Sequence, residues 1–213
     1  MDKNLEVIPL IPLRGVTIFP YMVLHFDVGR EKSKLALEEA MINGQKVFLS
    51  SQKEYVVEEP NKEDIFETGT ICTIKQMLKL PENTIRVLVE GEKRGILKEY
   101  LEEKPFFKVK IEVIEDSKDV DDNCKALIRL VVKKFHEYMN LSGDNGSESI
   151  IELDDMDNPG RLADTISAYL EVDQNKKQQI LDACKIEDRL EKILSILANE
   201  IEILKIENKI GIE

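Results

Sequence analysis

Side chains able to do chemistry are few in this sequence and scattered along it. His25 and His136 are the only histidines among 213 residues, one in a strand-like stretch and the other in a helical one. A triad on either would need partners to which the sequence does not point, so both read as surface or structural side chains. Cys72, Cys124 and Cys184 are odd in number and far apart. They offer neither a disulfide framework nor the paired short spacing of a zinc site, and read as reduced structural thiols. Gly29-Arg30-Glu31-Lys32-Ser33 shares letters with a phosphate-binding loop but lacks its first glycine and the adjacent Gly-Lys pair that cradle phosphates. Acidic pairs such as Glu58-Glu59 and Asp154-Asp155 belong to the solvated faces and caps of an acidic chain and suggest acid–base chemistry only weakly. No catalytic, cofactor-binding or metal-binding residue is assigned.

What the sequence does offer is apolar contact with an extended peptide. Phe19, Tyr21 and Met22 lie at a turn between strands, with Pro20 among them. Met77 and Leu78 precede a hairpin turn, where methionine supplies an adaptable surface. Phe106 follows Pro105. Strand alternation places one member of each aromatic pair in a core, so a core role competes with a binding role at these six candidates.

Composition sets the frame. Apolar residues make up 42% and charged residues 34% of the chain, a soluble globular balance, and a chain this long buries about 70% of its unfolded surface. No apolar run approaches the roughly 20 residues of a membrane helix, and the opening Met1-Asp2-Lys3-Asn4-Leu5 lacks a signal peptide's basic and apolar segments. The expectation is a cytoplasmic protein without membrane contact. A net charge of -12, with neither half basic, opposes nucleic-acid binding, which rests on Lys and Arg displacing counterions.

The elements that must position the candidates follow from periodicity. Leu5 to Leu13 is an apolar strand punctuated by Pro9 and Pro12, suited to an edge or a bulge. Glu31 to Asn43 predicts a helix with Ala36, Leu37, Ala40 and Met41 on one face and Asn43-Gly44 as its stop. Lys46 to Ser51 is a short strand. Thr70 to Leu80 and Thr84 to Glu90 form a hairpin around Pro81-Glu82-Asn83, where proline presets φ and Asn83 tolerates positive φ. Phe107, Val109, Ile111 and Val113 alternate with charged residues as another strand. Six or so strands around one helix make a barrel-like β domain over residues 1–116.

From residue 117 the period becomes helical. Ala126, Leu127, Leu130, Val131, Phe135 and Tyr138 follow the acidic cap-like run Asp119 to Asp122. Ser142 to Ser149 reads as a polar loop. Asp157-Asn158-Pro159 then starts a helix to about Leu170, another runs from Asp173 to Cys184, and a last one runs from about Asp188. This last helix carries Leu190, Leu194, Leu197, Ile201 and Leu204 as a coiled-coil seam. Neighbouring helices are expected to cover Leu190 to Leu197, with Ile201 and Leu204 on an exit helix or self-association surface. The fold class is thus α+β, a β-barrel-type domain with one helix followed by an all-α bundle over 117–213.

Ordered blocks in both halves resemble the amino-terminal region of Lon-family ATP-dependent proteases, nearly end to end. Leu10-Ile11-Pro12-Leu13-Arg14-Gly15, Phe19-Pro20 and Val28-Gly29-Arg30-Glu31-Lys32-Ser33 are similar to the family's opening strand, Phe-Pro turn and first helix. Gly69-Thr70, Gln76 to Pro81 and Val87-Leu88-Val89-Glu90-Gly91 with Arg94 resemble its central hairpin. Asn158-Pro159-Gly160-Arg161-Leu162-Ala163-Asp164, Arg189-Leu190 and Glu200 to Leu204 resemble its bundle and exit helix. One departure is Pro81-Glu82-Asn83-Thr84, where the family commonly has Asp-Gly.

The resemblance implies a PUA-like β domain that recognises substrate. It also implies a parent enzyme that is a hexameric AAA+ ring with a Ser-Lys peptidase dyad, using ATP and Mg. This segment matches none of the nucleotide or peptidase motifs, so it is expected to bind polypeptide without catalysis and without a cofactor of its own. The implied partners are unfolded or damaged proteins and the other subunits of the ring. A stand-alone Lon-domain interaction module or substrate receptor is the alternative, and an independent small enzyme ranks last.

Overall fold

A computed structural model describes residues 4–144 and 157–211. The Asp154-Asp155 pair and residues 145–149 of the polar loop lie outside the described residues. The chain divides into two units, residues 1–115 and 116–213.

The first unit contains β1 (Leu5–Leu13), β2 (Val23–Val28), α1 (Glu31–Ile42), β3 (Lys46–Ser51), β4 (Thr68–Leu80), β5 (Thr84–Glu102) and β6 (Phe107–Val113). The sheet order is β2-β5-β4-β3-β1-β6, and a further β5–β6 pairing closes β1, β3, β4, β5 and β6 into a ring. Closure depends on the length of β5. Its first half, from Ile85 to Glu90, pairs with β2 and β4, and its second half, from Gly95 onward, turns to pair with β6. Glycines permit the turn: Gly69 lies opposite Gly95, and a Cβ on Gly69 would sit 2.5 Å from the Leu49 carbonyl oxygen. Sequence periodicity predicts this strand only from Thr84 to Glu90, whereas in the structure it continues to Glu102.

Closure gives β1 and β3 two buried faces, which explains their unbroken apolar runs. Ile8, Leu10, Phe48, Ile71, Phe107, Val109 and Ile111 form one cluster. Ile11, Leu13, Val47, Leu49, Cys72, Ile74, Val87 and Val89 form a second with Ala36, Leu37 and Ala40 of α1. Met41, expected on the buried face of α1, is exposed, and Ser33 and Lys34 are buried in its stead. The helix therefore rests on its N-terminal half and its two alanines. At the hairpin, Glu82 and Asn83 both adopt positive φ, so the turn needs two left-handed residues where one was expected.

The second unit is helical: α2 (Asp122–Leu141), α3 (Pro159–Tyr169), α4 (Gln174–Asp182) and α5 (Ile186–Ile210), with α2, α3 and α4 all packed on α5. The caps are those the sequence signals. Asp121, Asn158 and Asp173 side chains accept from the backbone N–H three residues on, of Cys124, Arg161 and Lys176. The buried stripe of α2 is Cys124, Ile128, Val131, Phe135 and Tyr138, while Ala126 and Leu130 face outward. On α5 the buried residues are Ile186, Leu190, Ile193, Ile196, Leu197 and Ile201, and Leu194 and Leu204 are half-buried. This wider stripe follows the 3.6-residue period of a bundle helix and corrects the expected narrow seam. Among the described residues no helix is long and apolar enough to cross a membrane.

Inside this unit Arg189 is fully buried. It forks onto Asp116 (Nη2 to Oδ1 2.9 Å, Nη1 to Oδ2 3.2 Å), reaches Asp164 at 3.4 Å, and donates to the Ala183 and Cys184 carbonyls at 3.1 and 3.3 Å. Burial alone would lower its pKa, but the charges of Asp164 and Asp116 outweigh that and hold it up.

Candidate functional site

The feature of the first unit best suited to a ligand is an apolar face at the open end of the sheet. Strand register builds it in rows. Phe26 lies opposite Val87, which lies opposite Met77. Leu24, Val89 and Ile74 make the next row, and Val28 and Ile85 adjoin Phe26 and Val87. Val87 and Val89 are fully buried at the centre. Around them Met22, Leu24, Phe26, Met77, Ile85 and Leu35 of α1 are only partly buried, leaving adaptable thioether and aromatic edges at the surface. An extended apolar segment laid here would bury further area of these side chains, at about 25 cal/mol per Å² of apolar surface removed from water. The arrangement can bind; nothing in it supplies a nucleophile or a proton shuttle.

Alternation sends the neighbours of these residues to the opposite face. There Asp27 accepts two hydrogen bonds from Arg86 at 2.8 and 3.2 Å. These bonds hold the Asp27 carboxyl below its ordinary range and raise the Arg86 guanidinium. Leu78 is exposed opposite Arg86.

Of the six sequence candidates, Met22 and Met77 are therefore brought together in one cluster, whereas Leu78 lies on the polar face across the sheet from Met77. Phe19 is fully buried and Phe106 nearly so, so both are core residues that a ligand cannot touch directly. Tyr21 is 43% exposed at positive φ. Its turn is pinned to β5 by Tyr21 N–H donating to the Gly91 carbonyl and Gly91 N–H donating to the Met22 carbonyl, both at 2.8 Å. A side chain at Gly91 would strike the Phe19 carbonyl oxygen, 2.5 Å from the added Cβ. Leu24, Phe26, Ile85 and Leu35 were missed. The alternation of Leu24, Phe26 and Val28 with Val23, His25 and Asp27 was available in the sequence, but which alternate set met α1 was not.

On the last helix, Ile201 is buried by its own unit and Leu204 is half-buried; the exposed apolar residues are Ile203, Ile206 and Ile210. Among the described residues, no group of three or more His, Cys, Asp or Glu side chains is placed to hold a metal ion.

The family model described as the ATP-dependent protease La (LON) substrate-binding domain matches residues 7–199. The chain belongs to that family. It is 45% identical to Lon protease of Clostridium acetobutylicum, over 100% of this chain and 28% of that protein. It is 47% identical to Lon protease of Clostridioides difficile, over 99% of this chain and 28% of that one. Lon protease 1 of Bacillus subtilis is 44% identical over 96% of this chain and 26% of its own length. The chain thus spans little more than a quarter of these relatives. Among solved structures, the N-terminal domain of Mycobacterium avium complex Lon protease superposes with a TM-score of 0.71 at 20% identity, covering 91% of this chain and 98% of that one. A Lon N-terminal domain protein of Xanthomonas campestris gives 0.62 at 13%, covering 89% and 98%. These two likenesses establish the fold, an α+β Lon N-terminal arrangement.

Two of the blocks noted in the sequence meet inside the second unit. Asp164 in one and Arg189 in another are the two halves of the buried ion pair. About three-quarters of the length of these relatives has no counterpart in this chain.

Proposed function

We propose that this chain is the substrate-recognition region of an ATP-dependent serine protease that degrades misfolded, damaged and selected regulatory proteins. In this reading the first unit captures exposed apolar segments of unfolded polypeptide, and the second links it to an ATPase ring in the cytoplasm. The observation that carries the reading is the half-buried apolar face of Met22, Leu24, Phe26 and Met77 in a domain whose family is named for substrate binding. Capture by one copy is weak. Several copies in a ring raise the effective concentration of the second and third contacts. Ring contacts are ascribed to the distal part of α5, where Ile206 and Ile210 are 56% and 67% exposed. ATP and Mg serve the parent enzyme rather than this segment.

The test replaces Met77 and Leu24 by Ser, singly and together, and measures binding of a permanently unfolded, fluorescently labelled protein. Weakening of about fivefold for each and more for the pair is expected, since each change removes about 1 kcal/mol of apolar contact. Unchanged affinity in the folded double variant would refute this face as the capture surface.

A further inference from the structure

Gly29 to Ser33, set aside above as an incomplete phosphate loop, forms the junction of β2 with α1 and lines two adjoining concavities in the first unit. One, of about 570 Å³, includes Leu13, Arg14, Phe26, Arg30 and Glu58. The other, of about 770 Å³, includes Leu10, Lys32, Lys104, Pro105 and Phe107. Pro12, Arg30, Ser33 and Glu59 belong to both, so they share a wall. Lys32 Nζ lies 3.5 Å from the centre of the Phe107 ring.

Two arginines meet here beside Glu58 and Glu59, and neither arginine is in an ion pair with them. Arg30 Nη2 donates to Gln52 Oε1 at 2.7 Å, while its Nη1 is shielded from solvent and has no hydrogen-bond partner. Arg14 donates to the Val57 carbonyl at 3.1 Å and lies over the Tyr55 ring. Burial first, and then the Arg14 charge, disfavour the charged form of Arg30, and Glu59 offsets part of this. A solvent-shielded guanidinium nitrogen with no acceptor is costly to leave so and gains most from an anion. The Gln52 amide that holds Arg30 also donates to the Glu54 and Val57 carbonyls, both at 2.8 Å, so the arginine is preorganised. The first turn of α1, which has no side-chain cap, lines the same space.

We propose that this double concavity takes a single carboxylate of an extended polypeptide, received by Arg30 and Arg14, with apolar side chains beside it resting on Leu10, Pro12 and Pro105. Glu31, Glu58 and Glu59 also line the space, which disfavours a multiply charged anion and leaves room for one negative charge. The apolar walls favour a peptide over a small ion. Phe26 belongs both to this concavity and to the capture face, so one bound strand reaches both. This rests on the reading of the chain as a polypeptide binder, and it adds a chemical preference, an acidic group beside apolar residues, to that reading.

The test uses three ten-residue labelled peptides of alternating Phe, Val and Ser: one with a free C-terminal carboxylate, one amidated with an internal Glu, and one amidated and neutral. Anisotropy with the 213-residue chain is expected to favour at least one carboxylate peptide over the neutral one by about tenfold; whichever it is names the chain terminus or the side chain as source. The exposed Arg14→Gln and the half-buried Arg30→Gln should each erase the preference while leaving neutral-peptide affinity unchanged, and Lys209→Gln should retain it. Equal binding of all three peptides overturns the carboxylate site but spares polypeptide capture. Failure of every peptide and of unfolded protein to bind overturns both. A preference that survives both arginine variants places the carboxylate elsewhere and also overturns the proposal.

Discussion

Replacing Arg189 by Met should unfold the second unit under conditions where the first stays folded. Arg189 has no exposed surface, and neither has Asp164. The substitution takes the Arg189 cation away from the buried Asp164 carboxylate and from Asp116, and removes donors from the Ala183 and Cys184 carbonyls. Breaking a buried pair by deleting one partner costs about 3 to 5 kcal/mol, because the remaining charge stays desolvated. At a urea dependence of about 1.5 kcal/mol per molar, that cost moves the midpoint of the helical unit down by about 2 to 3 M. Urea titration followed by far-UV circular dichroism reads the helices directly. Adding Asp164→Leu to Arg189→Met removes the stranded charge and should recover part of the loss. A single variant within 0.5 M of the parent, or a double variant less stable than the single, would refute the argument that a desolvated charge dominates here.

Gly69→Ala should destabilise the first unit by about 3 kcal/mol, because the new methyl meets the Leu49 carbonyl oxygen where β3 pairs with β4; thermal unfolding measures it. Alkylation at pH 8 should modify Cys184 in the native chain and all three thiols in urea, since Cys72 and Cys124 are buried and burial pushes both thiols up. Glu137 is held below the usual carboxylate range by hydrogen bonds from Lys205 and Lys134. A depressed acid stabilises fully above its unfolded value of about 4.3 and loses that contribution as pH falls through the lower folded value. The melting temperature of Glu137→Gln should therefore lie below the parent's at pH 7 and converge with it as pH falls from about 4.3 through the lower folded value.

Much of the fold was legible because burial on one face leaves a period. Phe107 to Val113 alternates without error, since β6 has its odd-numbered residues inside the barrel. The helix starts were legible because Asp121, Asn158 and Asp173 satisfy orphan N–H groups by local geometry alone. What failed were inferences that need a partner's position. Leu194 was set in a 3.5-residue seam, yet α5 packs against three helices and buries a wider stripe that takes in Ile193 and Ile196. Met77 and Leu78 were joined as one candidate, yet adjacent strand residues cannot share a face. Strand alternation put one of Phe19 and Tyr21 in the core, and only the three-dimensional closure against Gly91 shows that it is Phe19. Arg14 and Arg30 were visible as letters, but their meeting depends on β1 and α1 converging, which no local pattern encodes.

The most direct test of the central claim is fluorescence anisotropy of the chain titrated against one labelled protein in its native form and in a permanently unfolded form. Capture of exposed apolar segments predicts clear binding of the unfolded form and none of the native form at the same concentrations, with the signal lost in the Met77→Ser, Leu24→Ser double variant. Equal binding of both forms, or binding of neither, would contradict it.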